Sequence, residues 1–265
     1  MHPSESATGR EQRFVFDEVA ELYARARPTY PAALVDDIIR ESGLPPGGRI
    51  LELGSGPGNG SVLFSGRGYH LLSLEPGARL AEVARRRLAG DSNATVLVTT
   101  FEAWPIEPDT FDLVFAAQSF HWMDPALRFS KTAQTLKPNG TLAVFANRPL
   151  LGTSPADGLI RQAYAAHAPA IDTRWIGHNT RDHFLELFAA APEFLPAEWR
   201  EYAWRAEYNS TEYLDLMRTH SDHRLLPAGQ LTILLDAIRE AIDKNGGRFA
   251  VDYIAVLCWA HRAPA

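Results

Sequence analysis

Cysteine is almost absent from this sequence of 265 residues, in which Cys258 is the only one. A single cysteine excludes a disulfide within the chain and a zinc site built from several cysteines. The sequence also lacks a run of about eighteen apolar residues, the length that a membrane-spanning helix needs. Its first dozen residues are polar and contain no apolar signal segment, and we expect them to fray. We therefore expect a soluble, cytoplasmic protein.

The chain has no excess of positive charge. It contains 26 Lys and Arg residues against 32 Asp and Glu residues, which gives a net charge of −6. Proteins that gain affinity by neutralising phosphates carry a basic excess, so this balance argues against a nucleic-acid partner. With 46% hydrophobic and 22% charged residues, the composition is typical of a globular protein that can bury a full core. We predict a small-molecule substrate, no nucleic-acid or membrane partner, and a monomer or homodimer.

Short apolar runs alternate with helical stretches through the first half of the chain. The predicted strands are Arg49–Leu53, His70–Leu74, Thr95–Thr99, Phe111–Ala117 and Thr141–Ala146. The predicted helices are Phe14–Ala26, Pro31–Ser42, Asn59–Phe64, Pro76–Ala89 and Pro125–Leu136. Continuous apolar runs indicate strands that are buried on both faces, and regular alternation with helices is typical of a parallel sheet. The sequence thus predicts an α/β fold with a doubly wound sheet and helices on both faces.

The C-terminal part of the chain is less regular. The predicted helices there are Pro155–His167, Arg181–Ala191, Thr211–Met217 with Thr211 as its cap, and Pro227–Lys244. The predicted strands are Trp199–Tyr208 and Val251–His261. Because ligands bind beyond the carboxyl ends of strands in open α/β sheets, helices that leave the sheet at that edge can cover the site. We expect four side chains as walls of a substrate pocket: Trp175, Tyr213, Met217 and Leu225.

A glycine-rich loop, Gly54–Gly60, follows the first predicted strand. Glycines at this point let the backbone turn sharply and approach a ligand closely. A dinucleotide-binding loop needs the pattern G-x-G-x-x-G, and Asn59 occupies the third glycine position, which disfavours a nicotinamide cofactor. Glu75 ends the second strand and would suit the ribose diol of either cofactor class. The loop and Glu75 therefore leave the choice of cofactor open.

Four segments in fixed order narrow the choice: LELGSGPGNG, LLSLEPG, TTFEAWPIEPDTFDLVFAAQSFHWMDP and LKPNGTLAVF. Together they resemble the class I S-adenosylmethionine-dependent methyltransferases, most closely the bacterial small-molecule group that includes trans-aconitate methyltransferase-like proteins. The resemblance covers residues 14–147 well. It implies a Rossmann-like, seven-stranded sheet whose last strand is antiparallel, S-adenosyl-L-methionine as cofactor and S-adenosyl-L-homocysteine as product.

The resemblance also implies how the chain is organised. It predicts a single methyltransferase domain over residues 1–265. Lid helices would occupy residues 14–46, and the cofactor-binding core would occupy residues 47–147. Residues 148–265 would supply cap helices that form a substrate pocket and the strands that close the sheet.

Individual residues take roles from the same resemblance. The expected cofactor-binding residues are Glu52, Gly54, Ser55, Gly56, Gly58, Glu75, Pro76, Thr100, Phe101, Glu102, Gln118 and Ser119. Glu52 would orient the methionine end, and Glu75 would accept hydrogen bonds from both ribose hydroxyls. The family usually has an Asp near the adenine amino group, where this chain has Thr100, so the Thr100 hydroxyl or the Phe101 backbone would act there. The expected lid or substrate residues are Tyr23, Arg27, Trp122 and Trp175.

His121 follows the fourth strand, and the resemblance places it beside the transferred methyl group. It is a candidate general base for a phenol or alcohol acceptor, with packing against Trp122 as the alternative. A carboxylate acceptor would need no base. The fourth strand ends in Ala116–Ser119, not in the Asn/Asp-Pro-Pro-aromatic motif of enzymes that methylate exocyclic amino groups.

We therefore expect methyl transfer by SN2 displacement to a carboxylate or hydroxyl oxygen of a small organic acid or secondary metabolite. The alternative is a protein of this fold that binds the cofactor without methylating, as a cyclase-like enzyme or a regulator.

Histidines and an aspartate also cluster late in the chain, at His220, Asp222 and His223. Their spacing does not force a metal site, so we expect a solvated loop and no metal. Ser221, Asp222 and His223 are adjacent, and we do not expect adjacent residues to converge as a catalytic triad.

Overall fold

A computed structural model describes residues 16–150, 152, 154–171 and 180–264. Its strands are β1 (Arg49–Leu53), β2 (His70–Glu75), β3 (Ala94–Val98), β4 (Phe111–Ala117), β5 (Leu136–Pro149), β6 (Glu198–Asn209) and β7 (Arg248–His261). They form one sheet in the order β3-β2-β1-β4-β5-β7-β6. Neighbours from β3 to β5 are parallel, whereas β7 runs antiparallel to both β5 and β6. The predicted Rossmann-like sheet with an antiparallel last strand is confirmed.

The helices are α1 (Ala20–Ala26), α2 (Ala32–Glu41), α3 (Ala78–Leu88), α4 (Arg128–Thr135), α5 (Pro155–His167), α6 (Thr180–Ala189), α7 (Ser210–Arg218), α8 (Ser221–Arg224) and α9 (Ala228–Lys244). In α2 the spacing of Leu34, Val35 and Ile38 produces one buried stripe. Pro31 precedes the first turn, and Gly43 follows the last turn with a φ of +60°. No helix in the described ranges is long and apolar enough to cross a membrane.

Alternation along the central strands divides the core between the two faces of the sheet. Ile50 of β1 packs in a cluster with Leu34 of α2. Leu51 and Leu53 point to the opposite face, into a cluster that includes Phe188 of α6. A third cluster joins α5, α7 and α9 to the ends of β6 and β7. Helices thus cover both faces, as predicted, and the late helices form a cap beside the C-terminal strands.

The N-terminal helix is shorter than the predicted Phe14–Ala26. A 3-10 turn covers Asp17–Val19 before α1 begins, and Phe14 lies outside the described residues. The carboxylate of Asp17 accepts a hydrogen bond from the backbone N–H of Leu80 at 2.9 Å and so caps the N-terminus of α3. The N-terminal segment is therefore fastened to the helix that follows the second strand.

The helix predicted over Asn59–Phe64 is wrong, because only a 3-10 turn at Ser61–Leu63 forms there. Gly66 and Gly68 follow with φ values of +72° and +83°. These left-handed residues turn the chain back towards β2 before a second helical turn can form.

The predicted Thr211 cap is also wrong. The Asn209 side chain accepts a hydrogen bond from the N–H of Glu212 at 2.9 Å, and the Glu212 carboxylate accepts one from the N–H of Asn209 at 2.8 Å. This reciprocal capping box starts α7 at Ser210, one residue before Thr211.

The fifth strand is longer than the predicted Thr141–Ala146. It extends to Pro149 because β7 pairs with it from Thr141 opposite His261 to Pro149 opposite Tyr253. The extension carries Asn147 and Pro149 past the carboxyl end of β4, towards the cap.

Candidate active site

A cleft opens beyond the carboxyl ends of β1 to β4, where the chain order of the strands reverses between β1 and β4. Ligands of open α/β sheets bind at this switch point. The residues along its walls include Gly54, Ser55, Gly56, Glu75, Pro76, Thr100, Phe101, Glu102, Gln118 and Ser119. We call it the cofactor cleft. The structure thus brings together ten of the twelve predicted cofactor residues, while Glu52 and Gly58 lie behind the wall.

The glycine loop presents bare backbone to the cleft. Gly54 and Gly56 have φ values of +69° and +56°, which a side chain would strain. A Cβ on Gly54 would lie 2.8 Å from the Cβ of Ser119 and would force β1 away from β4. A Cβ on Gly56 would meet nothing within 4 Å, since the space beside it is the open cleft. The loop is therefore a cradle that a ligand can approach closely.

Gly58 packs against α3, and its predicted contact with the cofactor stays a prediction. Its φ is +86°, and a Cβ there would lie 3.3 Å from the Cβ of Ala84 in α3. The absence of a side chain lets the loop rest directly on α3.

Glu52 is fully buried behind the loop. One carboxylate oxygen, Oε2, accepts hydrogen bonds from Ser61 and from Ser73, the latter at 2.8 Å. The other oxygen, Oε1, has no hydrogen-bond partner among the described residues and lies 2.5 Å from where a Cβ on Gly60 would stand. Burial raises the pKa of Glu52 to about 7 against the opposing effect of the serine hydrogen bonds. These contacts brace the loop from behind, and the predicted role of Glu52 in orienting the methionine end stays a prediction.

Glu75 connects the glycine loop to the start of α3. Its Oε2 accepts a hydrogen bond from the N–H of Gly56 at 2.7 Å, and its Oε1 accepts one from the N–H of Gly77 at 2.8 Å. The residue is only 5% exposed, yet it lines the cleft. A carboxylate can accept more hydrogen bonds than these two. The position suits the predicted acceptance of a ribose diol.

The residues after β3 shape the opposite side of the cleft. The Thr100 hydroxyl oxygen accepts a hydrogen bond from the N–H of Ala103 at 3.1 Å, and the Phe101 side chain is buried in the core. Glu102 accepts a hydrogen bond from the N–H of Asp124 at 3.0 Å. These contacts stabilise the turn after β3, and the roles of Thr100 and Phe101 near adenine stay predictions.

The turn after β4 has an unusual backbone conformation. Gln118 has a φ of +57°, although it is not glycine, and its N–H donates to the Phe145 carbonyl at 2.9 Å. The Ser119 hydroxyl donates to the Leu53 carbonyl. Strained residues of this kind persist where their surroundings fix them, and they cluster at functional sites.

His121 and Trp122 stand side by side on the cleft wall, with their ring centroids 4.6 Å apart. The surrounding cleft walls lower the pKa of His121, and the charges of Arg148 and Arg128 lower it further. His121 also has an exposed face, and water there limits the extent of this shift. The imidazole is therefore neutral near pH 7 and packs against Trp122.

Tyr23 and Arg27 of the N-terminal segment line the cleft, and their role in a lid stays a prediction. The Arg27 guanidinium lies 5.0 Å from the centroid of the Tyr23 ring, and its Nη2 donates to the Thr219 carbonyl at 2.9 Å. Its Nε is buried, and no residue in the described part of the chain forms a hydrogen bond with it. The predicted lid or substrate residue Trp175 lies outside the described residues.

A second cavity adjoins the cofactor cleft. It is bounded by α5, α7, α8 and the C-terminal strands, and we call it the cap cavity. Arg27, Pro28 and Gln118 line both spaces. Side chains along its walls include Asn147, Tyr164, Tyr213, Met217, His220, His223, Phe249 and Tyr253. Tyr213 and Met217 were expected as walls, whereas Leu225 is 61% exposed and points away.

The prediction of a solvated loop is wrong for His223, which is only 2% exposed. Its Nδ1 lies 2.7 Å from Oδ1 of Asp222, and its Nε2 lies 2.8 Å from the Tyr164 hydroxyl. Adjacent residues do meet here, because the His223 ring folds back onto the Asp222 side chain at the start of α8. Tyr164 precedes His223 by 59 residues, so no local pattern in the sequence indicates the contact.

The chain resembles known methyltransferases. Residues 51–144 match the family described as "Methyltransferase domain". An uncharacterized methyltransferase of Mycobacterium tuberculosis is 29% identical over 252 residues, which are 93% of this chain and 95% of the relative. A demethylmenaquinone methyltransferase of Clavibacter sepedonicus is 27% identical over 222 residues, 81% of this chain and 85% of the relative.

Solved structures show the same fold. A putative type II methyltransferase from Anaeromyxobacter dehalogenans superposes with a TM-score of 0.62 at 19% identity, over 90% of this chain and 99% of the other. Phosphoethanolamine N-methyltransferase 2 from Haemonchus contortus does so with a TM-score of 0.59 at 13% identity, over 99% of this chain and 62% of the other. Membership of the trans-aconitate methyltransferase-like group stays a prediction. The matched family, the full-length relatives and the cofactor cleft together identify the chain as a class I S-adenosylmethionine-dependent methyltransferase.

Proposed function

We propose that this chain transfers a methyl group from S-adenosylmethionine, bound in the cofactor cleft, to an oxygen atom of a small organic acceptor in the cap cavity. The observation that supports this most is that both spaces share Arg27, Pro28 and Gln118 as walls. The sulfonium of the cofactor supplies an activated methyl group. The protein then contributes mainly by holding the acceptor oxygen in line with that group.

The cofactor cleft has the features that S-adenosylmethionine needs. The open space beside Gly56 accepts the cofactor against bare backbone. The Glu75 carboxylate, already fixed by two backbone N–H groups, would receive the ribose hydroxyls in a set orientation. Charge-assisted hydrogen bonds of this kind contribute about 1.5–3 kcal/mol each.

The cap cavity suits a small organic acceptor. Its walls combine apolar and aromatic side chains with polar and charged ones. The ring centroids of Tyr213 and Phe249 lie 4.7 Å apart in edge-to-face contact. Arg27 stands at the passage to the cofactor cleft with an unpartnered Nε. An acceptor oxygen, in a carboxylate or a hydroxyl, would accept a hydrogen bond from this Nε–H. That hydrogen bond would hold the oxygen near the transferred methyl group.

We also propose that the chain is organised into the three parts expected from the sequence. Residues 14–46 supply the lid, residues 47–147 the cofactor core, and residues 148–265 the cap and the closing strands. The bond from Arg27 to the Thr219 carbonyl supports this arrangement, since it joins the lid directly to the cap.

Isothermal titration calorimetry with S-adenosylhomocysteine tests the cofactor site. The wild-type protein should bind this product, and Glu75→Ala should bind it about ten- to a hundredfold more weakly, because the ribose hydrogen bonds are lost. Glu82→Ala is the matched control, since Glu82 is an exposed carboxylate on the solvent side of α3. NAD should give no binding heat. Equal affinities of the wild type and Glu75→Ala would exclude Glu75 as the ribose ligand.

A further inference from the structure

A chain of hydrogen bonds runs from the buried end of the cap to the wall of the cap cavity. Asp222 Oδ1 accepts hydrogen bonds from the N–H of His223 at 2.8 Å and from its ring Nδ1 at 2.7 Å. With Nδ1 as the donor, the opposite ring nitrogen, Nε2, is left to accept a hydrogen bond from the Tyr164 hydroxyl at 2.8 Å. Tyr164 and His223 both line the cap cavity. The arrangement can move a proton from the cavity to a buried imidazole.

The carboxylate of Asp222 lies directly beside the His223 ring. Burial would raise the pKa of Asp222, but the hydrogen bond and charge of His223 outweigh it and hold that pKa at about 2. Asp222 is therefore a carboxylate that can stabilise an imidazolium beside it. Burial, together with the nearby Tyr213 and Asp222, raises the pKa of Tyr164 well above its usual value, so this phenol does not lose its proton to water.

His220 is another titratable group that faces His223, with ring centroids 5.4 Å apart. Burial lowers the pKa of His220 well below its usual value, and the charges of Arg27 and His223 lower it further. His220 is therefore neutral and does not compete for the proton.

We propose that Tyr164, backed by His223 and Asp222, accepts the proton of a hydroxyl-bearing acceptor, a phenol or an alcohol, during methyl transfer. The proposal rests on the proposed function and narrows its acceptor class from oxygen acceptors in general to hydroxyl compounds. A carboxylate acceptor is already ionised and would have no use for such a proton path.

The step balances within the site. The O–H bond of the acceptor breaks, its proton passes to the Tyr164 oxygen, and the Tyr164 proton passes to Nε2 of His223. The electron pair of the acceptor oxygen forms the new bond to the methyl carbon, and the pair of the broken C–S bond stays on sulfur. The products are a methyl ether, S-adenosylhomocysteine and an imidazolium beside Asp222, which later returns its proton to solvent.

The hydrogen-bonded residues Tyr164, His223 and Asp222 lie in a different place from His121, which lines the cofactor cleft. His223 and Tyr164 border the space that the acceptor would occupy. The Tyr164 hydroxyl also lies 3.3 Å from the sulfur of Met217, which fixes the ring from a second side. The phenol is thus held in place before an acceptor arrives.

The decisive experiment measures S-adenosylhomocysteine release from S-adenosylmethionine with a panel of simple phenols, alcohols and carboxylic acids. The wild-type protein is compared with His223→Gln, Tyr164→Phe and the control His70→Gln, in which an exposed histidine at the opposite end of the sheet is changed. We expect phenols or alcohols to be methylated. We expect the first two substitutions to lower their kcat by about 10²–10⁴-fold, while the control keeps the wild-type rate.

The pH profile separates proton transfer from a structural role. With the wild type, methylation of hydroxyl acceptors should fall as the pH is lowered, because a protonated imidazole cannot accept another proton. The profile of His223→Gln should be flat. A variant that keeps the wild-type rate, or a wild type that methylates carboxylic acids but no hydroxyl compound in the panel, overturns the proposal.

A second measurement needs neither cofactor nor acceptor. Nitrogen-15 NMR of the histidine rings should show the proton of the neutral His223 ring on Nδ1. A neutral ring with its proton on Nε2 overturns the proposal, whatever the turnover. Tyr164→Phe keeps the ring that packs in the cap and should fold even where His223→Gln does not. Calorimetry with S-adenosylhomocysteine distinguishes failure of the proposed function from failure of this proton path. If the wild type does not bind the product, the proposed function is refuted. If it binds the product but gives one of the overturning results above, only the proton path is refuted.

Discussion

Glu52 has a buried carboxylate with one oxygen unpartnered, and its ionisation is therefore coupled to folding. Ser61 and Ser73 donate to the other oxygen, which offsets the cost of burial only in part. The remaining cost raises its pKa to about 7 from an ordinary value of 4.5. The native protein thus holds a proton at pH values where the unfolded chain has released it.

This difference predicts a pH-dependent effect of Glu52→Gln. The stability that protonated Glu52 contributes is fully present below pH 4.5 and is lost as the pH rises through about 7. Glutamine cannot ionise, so the variant does not lose this stability. As the pH rises from 4.5 to about 7, the free energy of unfolding of the variant should therefore increase relative to that of the wild type, by at most about 3 kcal/mol. Urea denaturation of both proteins from about pH 5 to pH 8 measures the gain. A constant difference between them would show that Glu52 ionises normally.

Single residues could be predicted where a local motif fixed them. Gly54 and Glu75 follow adjacent strands, and parallel strands bring such positions to one edge of a sheet. His223 could not be predicted in this way, since its partner Tyr164 lies 59 residues earlier. Gly58 belonged to the same motif as Gly54, but its contact with Ala84 of α3 depends on how the helix packs.

At the scale of elements, the glycine loop combines two separable tasks, and two matched substitutions test them. Gly56→Ala and Gly58→Ala both place a side chain at a positive φ, which costs about 1–2 kcal/mol each. Gly58→Ala also brings its methyl group to 3.3 Å from Ala84, so it should destabilise the protein more. Gly56→Ala puts its methyl group into the open cleft and should weaken S-adenosylhomocysteine binding more.

Denaturation and calorimetry on the two variants measure these effects side by side. If Gly56→Ala binds S-adenosylhomocysteine with wild-type affinity, Gly56 does not contact the cofactor. Equal stabilities of the two variants would show that the loop does not rest on α3 as closely as the distance to Ala84 implies.

The bounds of a strand could be predicted from its apolar run where the strand is buried on both faces. The bounds of β1 and β4 are those predicted, because their apolar stretches end at the glycine loop and at Gln118. The end of β5 could not be predicted from its own residues. It continues to Pro149 because Tyr253 and its neighbours in β7 pair alongside it, more than a hundred positions later.

At the scale of the whole molecule, the cap cavity is built from residues as distant in sequence as Arg27 and Tyr253. No periodicity or local motif links such positions, which is why the sequence predicted the cofactor cleft in more detail than the cap cavity. The proposed lid, residues 14–46, contacts both the cofactor cleft and the cap. Arg27 donates to the Thr219 carbonyl, Arg25 pairs with Asp215 at 3.2 Å, and Glu18 pairs with Arg224.

These contacts predict that a ligand in the cofactor cleft also stabilises the cap. Saturating S-adenosylhomocysteine should slow hydrogen–deuterium exchange in α1, whose Tyr23 lines the cleft, and in α7, which ends next to Thr219. Arg27→Ala removes the hydrogen bond between lid and cap, so the variant should keep the protection of α1 and lose most of that of α7. Arg49→Ala, which breaks an exposed pair with Glu107 outside both the lid and the cap, is the control and should behave as wild type. Equal protection of α7 in Arg27→Ala and the wild type would mean that the cap responds to the ligand without the lid, through the shared wall at Gln118.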